Sequence, residues 1–169
     1  MKPSYENQPI ILANVYVPTK DQQNLQLEFL KFIIERLNEF KDDNLILGGD
    51  CNIILDPVLD KKGGRVENKS KATYQLLELM ENYNLIDIFR LINPDVKRFT
   101  RREMSRCGLV QSRLDYWLIS NHILYDYNRQ IILPGMRSDH SIVELELNIH
   151  NTHQKGRGFF KFNAALLKD

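Results

Sequence analysis

The sequence predicts a mixed α/β fold, of the α/β (α+β) class. Two observations carry this: a strand, helix, strand order over residues 10–47, and a series of short β-patterned segments between residues 98 and 148. Such an order suggests a sheet covered by helices. Residues 10–17 read Ile-Ile-Leu-Ala-Asn-Val-Tyr-Val, an apolar run rich in β-formers that Pro18 ends, and a buried strand fits it best. Asp21 has the chemistry of a helix N-cap. From Leu25 to Phe40, the residues Phe29, Ile33, Leu37 and Phe40 form one stripe, widened by Leu30 and Ile34, while Glu28, Lys31, Glu35 and Arg36 fall largely off it. That is an amphipathic helix of about four to five turns. Asp42-Asp43-Asn44 reads as a turn and Leu45-Ile46-Leu47 as a short strand broken by Gly48-Gly49.

Residues 56–70 are loop-like, with Pro57, Gly63 and Gly64. Ser70 can cap a second helix whose inner face holds Leu76, Leu77, Met80 and Tyr83. Leu85 to Phe89 begins the next segment. Arg98-Phe99-Thr100, Arg113 to Ile119 and Gln130 to Leu133 are expected strands, and Ser141 to Asn148 alternates well, with Ile142, Val143, Leu145 and Leu147 against Glu144, Glu146 and Asn148. After His150 the composition shifts. Residues 151–158 form a polar, basic linker and 159–169 a short amphipathic tail, so the expected division is a domain over 1–150 and a linker and tail over 151–169.

The 169 residues suit one domain, and 43% hydrophobic with 27% charged residues is a globular balance rather than a disordered one. A net charge of +1 gives no global attraction to nucleic acid, so a nucleic-acid binder of this composition needs local basic clustering. Lys97, Arg98, Arg101, Arg102, Arg106 and Arg113 make one such stretch, which could track a phosphate backbone or form a solvated loop. Two cysteines, Cys51 and Cys107, are too few for a disulfide scaffold and lack zinc spacing, which favours a reducing compartment. No apolar run approaches the roughly 18 residues of a membrane span, and residues 1–6 carry no secretion signal. A nuclear or cytoplasmic, non-secreted protein without a membrane partner is expected.

Three places carry chemistry. Asp50 and Asn52 lie two apart after an apolar strand and a glycine pair, where glycine permits close approach of backbone to a ligand. A carboxylate and an amide there could serve a metal, a water and a phosphoryl oxygen; the same residues also make ordinary capped turns. Asp139-His140 follows a Pro134-Gly135 turn: Asp is a hard ligand or an imidazole orienter, and His exchanges protons near neutral pH. A cap-like Ser-Asp start to a strand explains the pair equally well. Asp115 stands on an apolar strand, where a carboxylate is costly unless paired, either with a nearby cation such as Arg113 or with a histidine. Tyr16 sits on the first strand, where a core role is the commoner one.

Four segments in order resemble the endonuclease/exonuclease/phosphatase family, the DNase I-like and abasic-endonuclease-like enzymes: Asn14-Val15-Tyr16-Val17-Pro18, Gly48-Gly49-Asp50-Cys51-Asn52, Ser112-Arg113-Leu114-Asp115-Tyr116 and Ser138-Asp139-His140. The finer pattern is similar to the endonuclease domain of LINE-type retrotransposons. It rests on Leu85 to Arg90, Asn93-Pro94, Phe99-Thr100 and the tail segment Phe159 to Asn163 with Leu166 to Asp169. The resemblance implies the C-terminal portion of a DNase I-like four-layer α/β sandwich. It implies a Mg²⁺- (or Mn²⁺-) dependent endonuclease, a hydrolase that nicks target DNA, within a polyprotein that also carries a reverse transcriptase.

By resemblance, Asp50 binds or activates the attacking water and Asn52 orients it or holds a phosphate oxygen. His140 contacts the scissile phosphate and moves a proton, Asp115 orients His140, and Tyr16 sits against the phosphate. The implied metal set is Asp50, Asn52, Asp139 and His140, while Thr100, Ser112 and Arg113 contact nucleic acid. Cys51 replaces a common aromatic and is expected only to alter packing. The family places an asparagine and a metal-binding glutamate on strands before the tyrosine strand, and Glu6 is too near that strand to serve. An N-terminally truncated domain, binding metal poorly or inactive alone, is therefore expected. The alternatives are a non-enzymatic remnant that at most binds nucleic acid, and a family phosphatase acting on a lipid or small-molecule phosphoester.

Overall fold

The computed structural model describes residues 9–41, 44–65, 68–135 and 138–148. The expectations for Glu6, for Asp42 and Asp43 and for the linker and tail over 151–169 fall outside these residues. Strand β1 (Ile10–Tyr16) leads through a 3-10 turn, Lys20–Gln22, into helix α1 (Gln23–Leu37). Asp21 is no cap: it lies inside that turn, and the residues at the cap positions, Thr19 and Gln22, make no side-chain cap bond. The helix instead enters from an already wound turn, which supplies its first carbonyls. Strand β2 (Asn44–Asp50) follows, then the short β3 (Lys61–Lys62), helix α2 (Lys71–Asn82), strand β4 (Leu85–Asp87) and the one-turn helix α3 (Ile88–Ile92). Strands β5 (Arg101–Ser105), β6 (Gly108–Ser112), β7 (Asp115–Ser120), β8 (Tyr127–Leu133) and β9 (Ile142–Leu147) complete the order.

Several local expectations meet their residues. Ser70 caps α2: its hydroxyl accepts from the Thr73 N–H, and the Thr73 hydroxyl accepts from the Ser70 N–H, a closed capping box. Asn44 differs from the expected turn residue. It is buried as the first residue of β2, in register with Ile10. Arg98 to Thr100 precedes a strand rather than forming one, and the hairpin of β5 and β6 begins at Arg101.

The glycine pair does not break β2. Gly48 and Gly49 are paired on both sides, with Asn14 and Val15 of β1 and with Trp117 and Tyr116 of β7. A Cβ at Gly48 would overlap the Trp117 ring, and one at Gly49 would overlap the Val15 carbonyl, where φ is +128°. Glycine is here a packing requirement inside a strand.

The main sheet runs in the order β1-β2-β7-β4, with β1 and β2 parallel and β7 antiparallel to its neighbours. Alternation divides its faces. Leu45, Leu47, Tyr116 and Leu118 face Phe29, Leu30, Ile33 and Leu37 of α1 and Leu76 and Leu79 of α2. Ile46 and Ile119 face the other way, towards Ile88, Ile123 and the β8–β9 pair, through Tyr127, Leu145 and Leu147. Helices, sheet and second sheet thus form successive layers. Reducing any fully buried leucine to alanine removes packing worth about 2–5 kcal/mol. The Trp117 indole N–H donates to the Val143 carbonyl at 3.0 Å and ties the two sheets together.

Candidate active site

The register of the main sheet brings three side chains abreast. Tyr16 is the partner of Asp50 across β1 and β2, and Asp115 is its partner across β2 and β7. All three have the parity of Gly48 and Trp117, so they share the face that looks to the second sheet. They stand at the sheet's end, where β1 and β2 finish and β7 begins. The segment before β9 completes the group. His140 forms an isolated bridge with Arg101, and its Nδ1 lies 3.0 Å from Asp115 Oδ2. Its Nε2 lies 3.9 Å from Asp50 Oδ2. Asp50, Asp115 and His140 each offer one atom within 4.8 Å of the others. They line a cleft of about 840 Å³ with Tyr16, Asn52 and Ser112.

Asp50 is held by its own turn. Asn52 takes a left-handed φ of 47°, and its backbone N–H donates to Asp50 Oδ1 at 3.0 Å. Its side-chain amide donates to Asp50 Oδ2 at 3.2 Å and to the Val17 carbonyl at 2.9 Å. The turn and the site are therefore one structure: Asn52 reaches Asp50 by curling back, not by strand alternation. Likewise the Ser138 hydroxyl accepts from the His140 N–H at 3.0 Å, a local turn that presents the imidazole. Gly135 packs against the His140 carbonyl, where a side chain would not fit.

Thr100 links these pieces. Its Oγ1 accepts from the backbone N–H groups of Leu114 at 2.9 Å and of Asp115 at 3.1 Å. Its N–H donates to Ser112 and its carbonyl accepts from Ser141. The residue is fully buried. The expectation that Thr100 contacts nucleic acid is therefore corrected: its hydroxyl is committed to the bend that delivers Asp115. Arg113 requires the same correction. It is 1% exposed, and its guanidinium binds Asp60 at 2.8 and 3.0 Å and Asp87 at 2.6 and 3.1 Å. Arg90 joins from the other side of Asp60. Burial alone lowers the Arg113 pKa, but Asp87 and Asp60 outweigh it and hold the charge above its ordinary value.

Arg113 is therefore not the partner of Asp115, which belongs to His140. Asp139 stands apart from the metal set expected for it. Its carboxylate pairs with Arg101 Nε at 3.2 Å, is well exposed, and is not within the Asp50, Asp115 and His140 group. The Arg101 hydrogen bond holds its pKa below the ordinary carboxylate value. Ser112 lines the cleft from the end of β6, and Tyr16, 55% exposed, stands at its rim.

Asp50 sits in a perturbed electrostatic environment. Burial raises its pKa, the Asn52 N–H opposes that rise, and the adjacent Asp115 charge adds to it. Two carboxylates sit together with a titratable imidazole between them. That donor set, rich in oxygen, fits a hard divalent cation such as Mg²⁺, which would remove the penalty. Asp50, with Asp115 and His140 Nε2 beside it, would hold it. Cys51, fully buried behind the site, has its thiol pushed up by burial and is inert packing.

No family model matches the chain. Three solved structures superpose on it: an AP endonuclease from Leishmania major (TM-score 0.69, 20% identity, 82% of this chain and 50% of that one), an AP endonuclease from Archaeoglobus fulgidus (0.65, 19%, 82% and 62%) and a 3'-5' exonuclease from Neisseria meningitidis (0.67, 18%, 81% and 60%). The fold is DNase I-like. The chain spans about half to three-fifths of each of these structures. In sequence, the chain is 31% identical over 159 residues to an uncharacterized 149 kDa protein of transposon TX1 from Xenopus laevis, across 94% of this chain and 12% of that protein.

Sequence reasoning missed Asp60, Asp87 and Arg90, whose ion network holds the strand entry behind the Asp50, Asp115 and His140 group. Asp60 lies in what reads as a charged loop, and Asp87 at the centre of the apolar Leu85 to Phe89 segment. Neither position carries a local signal for a partner 53 or 26 residues away.

Proposed function

We propose that the chain is part of a divalent-cation-dependent phosphodiesterase that nicks DNA, a fragment of the endonuclease domain of a retrotransposon polyprotein with a reverse transcriptase. The observation that carries this reading is the meeting of Asp50, Asp115 and His140, from three separate segments, in one cleft. A carboxylate only accepts hydrogen bonds, so Asp115 requires the proton on His140 Nδ1. Nε2 is then free to take or give a proton on the Asp50 side. Asp50, aimed by Asn52, faces the same space and orients the attacking water. Asn52 shapes that carboxylate, and Tyr16 at the rim is placed to bear on the substrate phosphate. Mg²⁺ or Mn²⁺, when bound, would supply positive charge where negative charge builds on the phosphoryl oxygens. The DNA substrate is supported by the likeness to DNA-processing enzymes in fold and to a transposon protein in sequence.

The test is a supercoiled-plasmid nicking assay with Mg²⁺ or Mn²⁺, run beside phosphate release from phosphoinositide vesicles. Nicking that needs the metal and disappears in Asp50→Ala and His140→Ala supports the reading. Lipid dephosphorylation without nicking, or nicking that survives both substitutions, overturns it.

A further inference from the structure

The stretch from Lys97 to Arg113 holds several arginines, and the structure separates them. Arg113 is locked between two buried carboxylates. Arg101 is not. It is paired with Ser112 in the hairpin and bridged to His140 on its other side, so its side chain starts beside the imidazole. Its guanidinium contacts two carboxylates, Asp139 Oδ2 through Nε at 3.2 Å and Glu103 Oε2 through Nη1 at 3.1 Å, each about 55% exposed. Ion pairs so open to water contribute little and exchange partners readily. Strand alternation sends Arg101 and Glu103 to the cleft and Arg102 to the opposite side; the first two line the cleft and Arg102 does not.

We propose that Arg101 is the phosphate anchor of the cleft. On DNA binding it leaves Asp139 and Glu103 and takes a non-bridging oxygen of the backbone phosphate that lies against His140. The proposal rests on the phosphodiester reading of the site and adds the residue that overcomes the cleft's own charge. A polyanion that approaches Asp50 and Asp115 meets two carboxylates. Lys20, Lys61 and Arg101 supply the permanent positive charge of the lining, and Arg101 is the one joined to the His140 segment. A planar guanidinium with several donors can grip a phosphate through two hydrogen bonds, whereas each half-solvated carboxylate is held here through one. The carboxylates serve as holding partners that keep the arginine extended along the wall.

The experiment is fluorescence anisotropy of a labelled short DNA duplex with the unmodified chain, in EDTA so that binding is read without cleavage, over a series of salt concentrations. Arg101→Met should weaken binding about tenfold and flatten the slope of log K against log salt by about 0.9, one phosphate contact fewer. Arg101→Lys should restore part of the affinity and the full slope. Glu103→Gln, which removes a competitor for the guanidinium, should tighten binding. Arg102→Met, the same charge change on the opposite face, should have less effect than Arg101→Met. Equal losses in Arg101→Met and Arg102→Met would show a diffuse charge effect and overturn the proposal, as would an unchanged slope in Arg101→Met. A wild-type chain that binds no DNA would instead bring down the DNA reading itself, and this inference with it. Unfolding midpoints equal to wild type establish that the variants are folded, as expected for exposed pairs.

Discussion

Two charged clusters lie behind and before the entry to β7, and they are built on opposite terms. Behind it, Asp60 and Asp87 are buried with Arg113 between them and Arg90 beside Asp60, so permanent cations compensate both carboxylates. Before it, Asp50 and Asp115 are partly buried and meet at His140. The first cluster is complete as it stands and holds the backbone. In the second, burial first and the neighbouring Asp115 charge after it raise the Asp50 pKa, against the Asn52 N–H.

Breaking the first cluster should give the largest effect. Arg113→Met leaves the buried Asp87 without its cation and Asp60 with Arg90 alone, and should destabilise the fold by about 3–5 kcal/mol, read as a lower midpoint in urea unfolding. If the loss is no larger than that of an exposed arginine such as Arg129, the difference between the clusters is not one of compensation. In the second cluster the effect should fall on catalysis. His140→Ala should lower the nicking rate by about 10²–10⁴-fold, and Asp115→Asn should lower it through loss of the Nδ1 acceptor, both with the unfolding midpoint little changed. Unfolding of either variant at the wild-type activity level would reverse the assignment.

Thr100 connects the two clusters, and its substitution should be intermediate. Thr100→Val removes the acceptor for two buried N–H groups and should cost about 1–3 kcal/mol, while Thr100→Ser keeps the oxygen and should recover most of it. A direct readout is the nicking rate, which Thr100→Val should lower and Thr100→Ser should largely keep.

The smallest effect should be a gain. The folded-state pKa of Asp50 lies above its unfolded value, so the folded protein binds more protons between the two. Stability therefore falls as pH rises through that window, and ionised Asp50 costs stability at neutral pH. Asp50→Asn should raise the melting temperature at pH 7, and the gain should vanish below the ordinary aspartate range. A gain that persists at low pH would exclude the linkage. Added Mn²⁺ should stabilise wild type and not Asp50→Asn, which calorimetry can check.

The chemistry-bearing residues were legible because each ends a strand or opens one, and strand ends are marked by local composition. Asp50 follows an apolar run, Asp115 opens one, and His140 precedes a clean alternation. The strand of residues 10–17, the helix of 25–40 and the Ser70 cap were legible for the same reason: period and capping are local. The hairpin of β5 and β6 was not. Met104 and Leu109 are exposed there, so no alternation marks a buried face. Gly48 and Gly49 read as a break because their purpose, room for Trp117 and the Val15 carbonyl, is supplied by residues far along the chain.

By itself, the sequence determined the α/β class, the order of the first elements and the residue types of the site, since periodicity, caps and motif spacing act within a few residues. Only the tertiary structure decided the partners. It gave Asp115 to His140 and Arg113 to Asp60 and Asp87, turned Thr100 from a phosphate donor into an internal brace, and set Arg101 rather than Arg102 against the cleft. Those choices depend on register between strands and on which charges end up buried together. Both are settled by packing across the sheet, where a shift of one residue would reverse every face.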